Sequence, residues 1–243
     1  LGRAAVEKLK SEGIMDIEFI RIDLQDLDSI KHAVKQIEET YGRCDVLVNN
    51  AAVCYNDPTL YGTTSHTPFA EQADITVKTN FFGTLSLTKA IVPLMEKSSE
   101  SPRIINIASS AGRLSILPSQ DRRDAFSSDK LKMDDLESYM NDFIEAAKRG
   151  THKEEGWPNT GYGVSKVGII AMTKILAREN SNNNNNKFMI NSIDPGYCST
   201  DQNNNQGFIT AERGAITPYL LATIEPKQQF TGKHWYQEKE IEW

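Results

Sequence analysis

Cysteine is scarce in this chain: Cys44, Cys54 and Cys198 are the only three among 243 residues. Their odd number and wide spacing exclude a disulfide framework and point to free thiols in a reducing, cytoplasmic compartment. Four scattered histidines, with no HxxxH or CxxC, argue against a zinc site, so no metal is expected. Lys and Arg never form a block, and 27 basic against 33 acidic side chains give a net charge of -6, which argues against a nucleic-acid partner. No apolar run reaches membrane-spanning length. No secretory or transit segment is visible, although the first residue is Leu1, which is compatible with a segment removed upstream.

What is present is an alternation of amphipathic helices and short apolar strands, the pattern of a parallel sheet covered on both faces. A chain of this length can bury one substantial core, so a single domain is expected. Gly2 to Ser11 reads as a helix with Ala5, Val6 and Leu9 on its apolar stripe, ended by Gly13. Ile17 to Ile22 reads as a strand. Asp26 caps a helix that buries Ile30, Val34 and Ile37 and stops at Tyr41-Gly42. Asp45 to Asn49 is nearly all apolar, as a strand buried on both sides would be. A loop over 55–68 leads to a helical region near Glu71 to Met95. Further strands follow at Arg103 to Ala108 and Phe188 to Ile193, with a possible last edge strand at His234 to Tyr236. The charged stretch of about 113–157 has helical periodicity near Met133 to Ala147 and reads as an insertion packed beside the site. The asparagine run at 182–186 lengthens a loop, and a second run lies at Asn203 to Asn205.

The chemistry sits around Tyr162-Gly-Val-Ser165-Lys166. A tyrosine and a lysine one helical turn apart face the same way. A free phenol, with a pKa of about 10, is a poor acid-base group at neutral pH, and a neighbouring ammonium favours its ionisation. Ser109-Ser110 end a strand-like run, where open α/β sheets bind ligands. Asn49-Asn50-Ala51-Ala52 follow another strand, Asn80 lies in a helical stretch, and Asp194-Pro195-Gly196 follow a third strand. Together these residues resemble the short-chain dehydrogenase/reductase family, and the long segment before Tyr162 resembles its carbonyl reductase branch.

The resemblance implies a Rossmann-like doubly wound parallel α/β sheet and NADPH-dependent reduction of aldehydes, ketones or quinones. It implies Tyr162 as general acid, Lys166 as partner of that phenol and of the nicotinamide ribose, and Ser110 as donor to the substrate oxygen. Asn80 would hold a water for the proton relay. Asp23 and Leu24 would hold the adenine, Asn50 and Ala51 would border the adenosine ribose, and Ala52 replaces a family glycine. Pro195 and Gly196 would line the nicotinamide, Thr200 would touch its carboxamide or the diphosphate, and Trp157 would wall the substrate pocket. The second asparagine run falls where the family has a mobile segment over the site. The insertion implies a monomer, because it occupies a surface that other members use to dimerise.

The family also begins with a strand, a glycine-rich turn, a helix and a second strand that this chain lacks, so the expected sheet is N-terminally truncated. Two rival readings share the same motifs. One is a related alcohol or steroid dehydrogenase; the other is a catalytically dead member acting as a binding protein.

Overall fold

Most helices form where the sequence carries their periodicity and their ends. The computed structural model describes residues 1–55, 67–98, 101–182, 188–225, 227 and 230–243. Helix α1 spans Gly2–Ser11 and α2 spans Leu27–Tyr41. The Asp26 carboxylate accepts the Asp28 N–H at 2.9 Å, satisfying a donor at the start of α2 that has no partner within the helix. Strand β1 (Val46–Asn49) precedes α3 (Phe69–Val77), a π-helical turn (Lys78–Gly83) and α4 (Thr84–Met95). The expected helix over Glu71 to Met95 is therefore present but interrupted at Asn80.

Strand β2 (Arg103–Ile107) leads into a 3-10 turn at Ser110–Gly112. The insertion then supplies α5 (Gln120–Ser127) and α6 (Met133–Arg149). Next come α7 (Gly161–Asn182), β3 (Met189–Asp194), α8 (Ala211–Thr223) and the hairpin β4 (His234–Tyr236) and β5 (Lys239–Ile241). The loop over 55–68 and the asparagine run at 182–186 lie largely outside the described residues.

The sheet order is β1-β2-β3-β4-β5, parallel except for the antiparallel β4–β5 pair. Thus β5, not His234 to Tyr236, is the edge at this side. Helices α4 and α7 pack on one face and α8 on the other. Period-two alternation sorts the strand residues between them. Ile104 and Ile190 join Ile91, Leu94 and Met95 of α4, while Ile105, Ile107 and Ile193 meet Leu221 of α8. Helix α6 buries Leu136, Met140 and Phe143 against α3 and α7, so the insertion braces the helix that carries Tyr162 and Lys166 from outside.

Two strand expectations are corrected. Ile17 to Ile22 is not a strand: it forms no ladder, and Phe19 and Ile22 are exposed. Apolar alternation produces a strand only beside a partner backbone, and among the described residues none pairs with it. Strand β1 is not buried on both sides, because Val46 and Val48 are exposed at the sheet edge. On that face α8 packs over β2 and β3 and leaves the β1 side chains uncovered.

Below the strand ends lies a buried amide network. Asn49 Nδ2 donates to Asn106 Oδ1 at 2.8 Å and to Thr88 Oγ1 at 3.0 Å, and Asn106 Nδ2 donates to Thr173 Oγ1 at 2.8 Å. It ties β1, β2, α4 and α7 together directly beneath the site. Asn106→Leu removes one of the two acceptors of the Asn49 amide and the amide donor to the Thr173 hydroxyl, which keep only Thr88 and the Ile169 carbonyl, and is expected to lower unfolding free energy by about 1–3 kcal/mol. Urea denaturation reads this; a loss below about 0.5 kcal/mol would show that the network rearranges around the change.

Candidate active site

The carboxyl ends of β1, β2 and β3 finish level with one another, because Asn49 pairs with Asn106 and Asn106 with Ser192. The loops leaving them, with the first turns of α7 and one face of α8, enclose a cleft of about 990 Å³. Ser109, Ser110, Tyr162 and Lys166 line it, as do Asn50, Ala51, Pro195, Gly196 and Thr200.

Lys166 projects from α7 into the cleft floor and is 3 % exposed. Its Nζ donates to the Ile107 carbonyl at 2.7 Å, at the last residue of β2. Burial draws its pKa down to about 8, against a small opposing pull from Cys54. The ammonium lies 5.4 Å from the centroid of the Tyr162 ring. One of its three N–H groups is committed to Ile107, which leaves donors for a hydroxyl-bearing ligand.

The two serines are distinguished by their partners. Ser109 caps its own turn, its Oγ accepting the Ala111 N–H at 3.2 Å. Ser110 is exposed, with its side chain not engaged in the turn. Gly112 closes the turn against α7: a Cβ there would stand 2.7 Å from the Lys166 carbonyl carbon and 2.8 Å from its Cβ. Only glycine allows that approach, which sets the Ser110 turn directly on the helix that carries Tyr162 and Lys166.

Asn80 lies beneath the cleft lining rather than on it. Its Oδ1 accepts the Val53 N–H at 2.8 Å, and its Nδ2 donates to the Val53 carbonyl at 2.9 Å and to Ser165 Oγ at 3.1 Å. Ser165 Oγ in turn donates to the Tyr162 carbonyl at 2.7 Å. The π-helical turn presents Asn80 to both partners, so it joins the segment after β1 to α7. Ser165, inside the Tyr162-to-Lys166 motif, was not singled out by sequence; its position one residue before the lysine was the available signal.

On the other wall, the Asp194 carboxylate accepts the Gly196 N–H at 2.9 Å and is pushed up by burial. Gly196 has φ +79°, and a Cβ there would strike Ile209 at 2.4 Å. The second asparagine run is structured. Asn203 accepts the Thr200 N–H at 3.1 Å and donates to the Cys198 carbonyl at 2.8 Å, while Asn204 and Asn205 take the left-handed backbone that asparagine tolerates. Asn203, Cys54 and Cys198 also line the cleft, and burial raises both thiols.

Three expected site residues stand elsewhere. Trp157 is fully buried, packed on Phe126 and Phe143 with the Arg122 guanidinium 3.7 Å above its ring. It anchors the insertion in the core and does not wall the cleft. The Asp23 carboxylate accepts the Gln25 N–H at 3.0 Å in a local turn, and the Leu24 carbonyl lies against Gly83. Neither residue lines the cleft.

The sequence matches the family model described as short chain dehydrogenase over residues 1–119. Mouse "Carbonyl reductase [NADPH] 1" is 34% identical over 243 residues, spanning 99% of this chain and 84% of that protein. Mouse "Carbonyl reductase [NADPH] 3" is 37% identical over 230 residues, spanning 93% of this chain and 78% of that one. Among solved structures, salutaridine reductase from Papaver somniferum superposes with a TM-score of 0.84 at 27% identity, over 96% of this chain and 87% of that one.

Proposed function

The chain belongs to the short-chain dehydrogenase family, and from that premise we propose that it is an NADPH-dependent carbonyl reductase acting on aldehydes, ketones or quinones. The observation that carries this reading is a buried Lys166 ammonium beside the Tyr162 phenol, on one cleft wall with Ser110. NADPH, when bound, supplies the hydride that reduces the carbonyl carbon. The residues present fit its nicotinamide half. Lys166 has donors left for ribose hydroxyls, Pro195 and Gly196 form an open backbone wall, and Thr200 offers a further polar contact.

In this reading Ser110 Oγ donates to the substrate oxygen and stabilises the charge that grows there. Tyr162 delivers its phenolic proton to that oxygen, giving the alcohol. Lys166 stabilises the phenolate left behind. Asn80 holds the backbone of Val53 and, through Ser165, the first turn of α7, and a water beside it would return the proton to Tyr162. Asn50 and Ala51, on the cleft lining, and Asp23 and Leu24, outside it, are read as the adenosine side of the cofactor site. The packing of α6 over α3 and α7 supports a monomer, and the free thiols support a cytoplasmic location.

The test is carbonyl-dependent oxidation of NADPH by the purified protein across aldehydes, ketones and quinones. Ser110→Ala is expected to lower kcat by roughly 10²–10³-fold, whereas Ser109→Ala should cost less than about tenfold, because its hydroxyl serves the turn. Equal losses would show that the wrong serine had been chosen. Absence of turnover on every carbonyl class would sink the reductase reading.

A further inference from the structure

The turn that carries Ser110 is held from behind by a residue with no place in the catalytic set. The Trp243 indole N–H donates to the Gly112 carbonyl at 2.7 Å, across 131 positions of sequence. Its ring is half-buried against the same core that packs α7, and Lys174 of α7 sits 5.8 Å from the ring centroid. Gly112 is pressed onto the Lys166 backbone on its other side. Trp243 therefore closes a sandwich: indole, Ser110–Gly112 turn, catalytic helix.

Elsewhere the turn is held by the Asp194 carboxylate, which accepts the Ser110 backbone N–H, and by its packing on α7; Trp243 adds a side-chain bond from the outer side. Within it, the Gly112 N–H donates to Ser109 and the Arg113 N–H to Ser110, which shapes the turn without attaching it to α7. A second cavity of about 710 Å³ opens behind it, lined by Leu114, Lys174, His234 and Trp243. The indole thus borders open space on one face and grips the catalytic turn with its edge.

We propose that Trp243 is a positioning residue for Ser110: its indole N–H clamps the serine turn against α7 and so fixes the distance between the substrate-oxygen donor and the Tyr162–Lys166 pair. This rests on the reductase reading of Ser110. A clamp of this kind acts on the chemical step and not on cofactor affinity, because small displacements of a catalytic group cost rate steeply.

The experiment uses the full chain with Trp243→Phe, which keeps an aromatic ring in the core but removes the N–H. The expected result is a fall in kcat of about three- to tenfold, the usual weight of one neutral hydrogen bond, with KM for NADPH within about twofold. Trp243→Ala, which also removes the ring, should fall by roughly 10–100-fold; should it fail to fold, the Phe variant carries the test alone. In a Ser110→Ala background Trp243→Phe should cost less than about twofold, since a residue acting through Ser110 has nothing left to position. Hydrogen exchange should quicken at the amides of 110–113 in Trp243→Phe. Unchanged kcat, a loss undiminished in the Ser110→Ala background, or an effect confined to KM for NADPH would each overturn the proposal. A wild-type chain without carbonyl turnover overturns the reductase reading instead, and the exchange rates then decide the clamp.

Discussion

Tyr162→Phe is expected to remove carbonyl reduction, by roughly 10²–10⁴-fold or to below detection, while NADPH affinity and melting temperature stay near those of the wild type. The substitution deletes the phenolic hydroxyl and nothing else. The ring that faces Lys166 at 5.4 Å remains, and with it the cation–π contact and the local packing of α7. Loss of a positioned general acid alone accounts for a deficit of that size. The measurement pairs initial rates with an NADPH titration followed by energy transfer from the tryptophans. Residual turnover within tenfold of wild type would assign the proton to another group. A parallel collapse in NADPH affinity would make Tyr162 a binding residue first.

Lys166→Met should act in two directions at once. Under the proposed mechanism activity and NADPH affinity both fall, because the variant lacks the ammonium assigned to the phenolate and the ribose. Stability behaves differently. Burial depresses the folded pKa of Lys166 to about 8, below the ordinary value of about 10.4 in the unfolded chain. The folded state therefore releases this proton first, and its stability rises as pH climbs from about 8 to about 10.4. Below pH 8 the buried charge costs the wild type up to about 3 kcal/mol. Met avoids that cost but leaves the Ile107 carbonyl without its donor, which takes back about 1–3 kcal/mol. At pH 7 the variant should accordingly be as stable as the wild type or slightly more so, and its advantage should shrink between pH 8 and 10.4. Urea unfolding of both proteins at pH 7 and pH 10 checks this. A stability difference that does not change with pH would mean that the ammonium is solvated in the folded protein.

The features legible in the sequence share one property, which is that neighbouring residues decide them. The cap at Asp26 and the stop at Gly42 depend on backbone groups a turn away, and both ends fall where expected. The Tyr162–Lys166 pair needs only a helix to face one way, and the serine pair needs only a strand end. The site extends beyond them because other contacts are remote. Asn80 reads as a water holder by resemblance alone; only the fold brings Val53 and Ser165 to it, and its amide bonds to both. Asn203 to Asn205 look like a low-complexity tract, yet their left-handed backbone and the bonds of Asn203 build one wall of the cleft.

The sequence by itself determined the family, the order of the elements and the residue types that meet at the strand ends, since periodicity, caps and motif spacing are short-range. Only the tertiary structure decided which apolar segments pair and which large side chains are core. Ile17 to Ile22 has the composition of a strand but no neighbouring backbone to bond, and β1 has the composition of a buried strand but an uncovered face. Trp157 looks from its place near Tyr162 like a pocket wall, but the insertion folds around it and takes it into the core. Trp243 shows no sign of a role until the chain returns to Gly112. A strand, a buried ring and a clamp each depend on a partner distant in the chain, so residue type and local spacing carry no record of them.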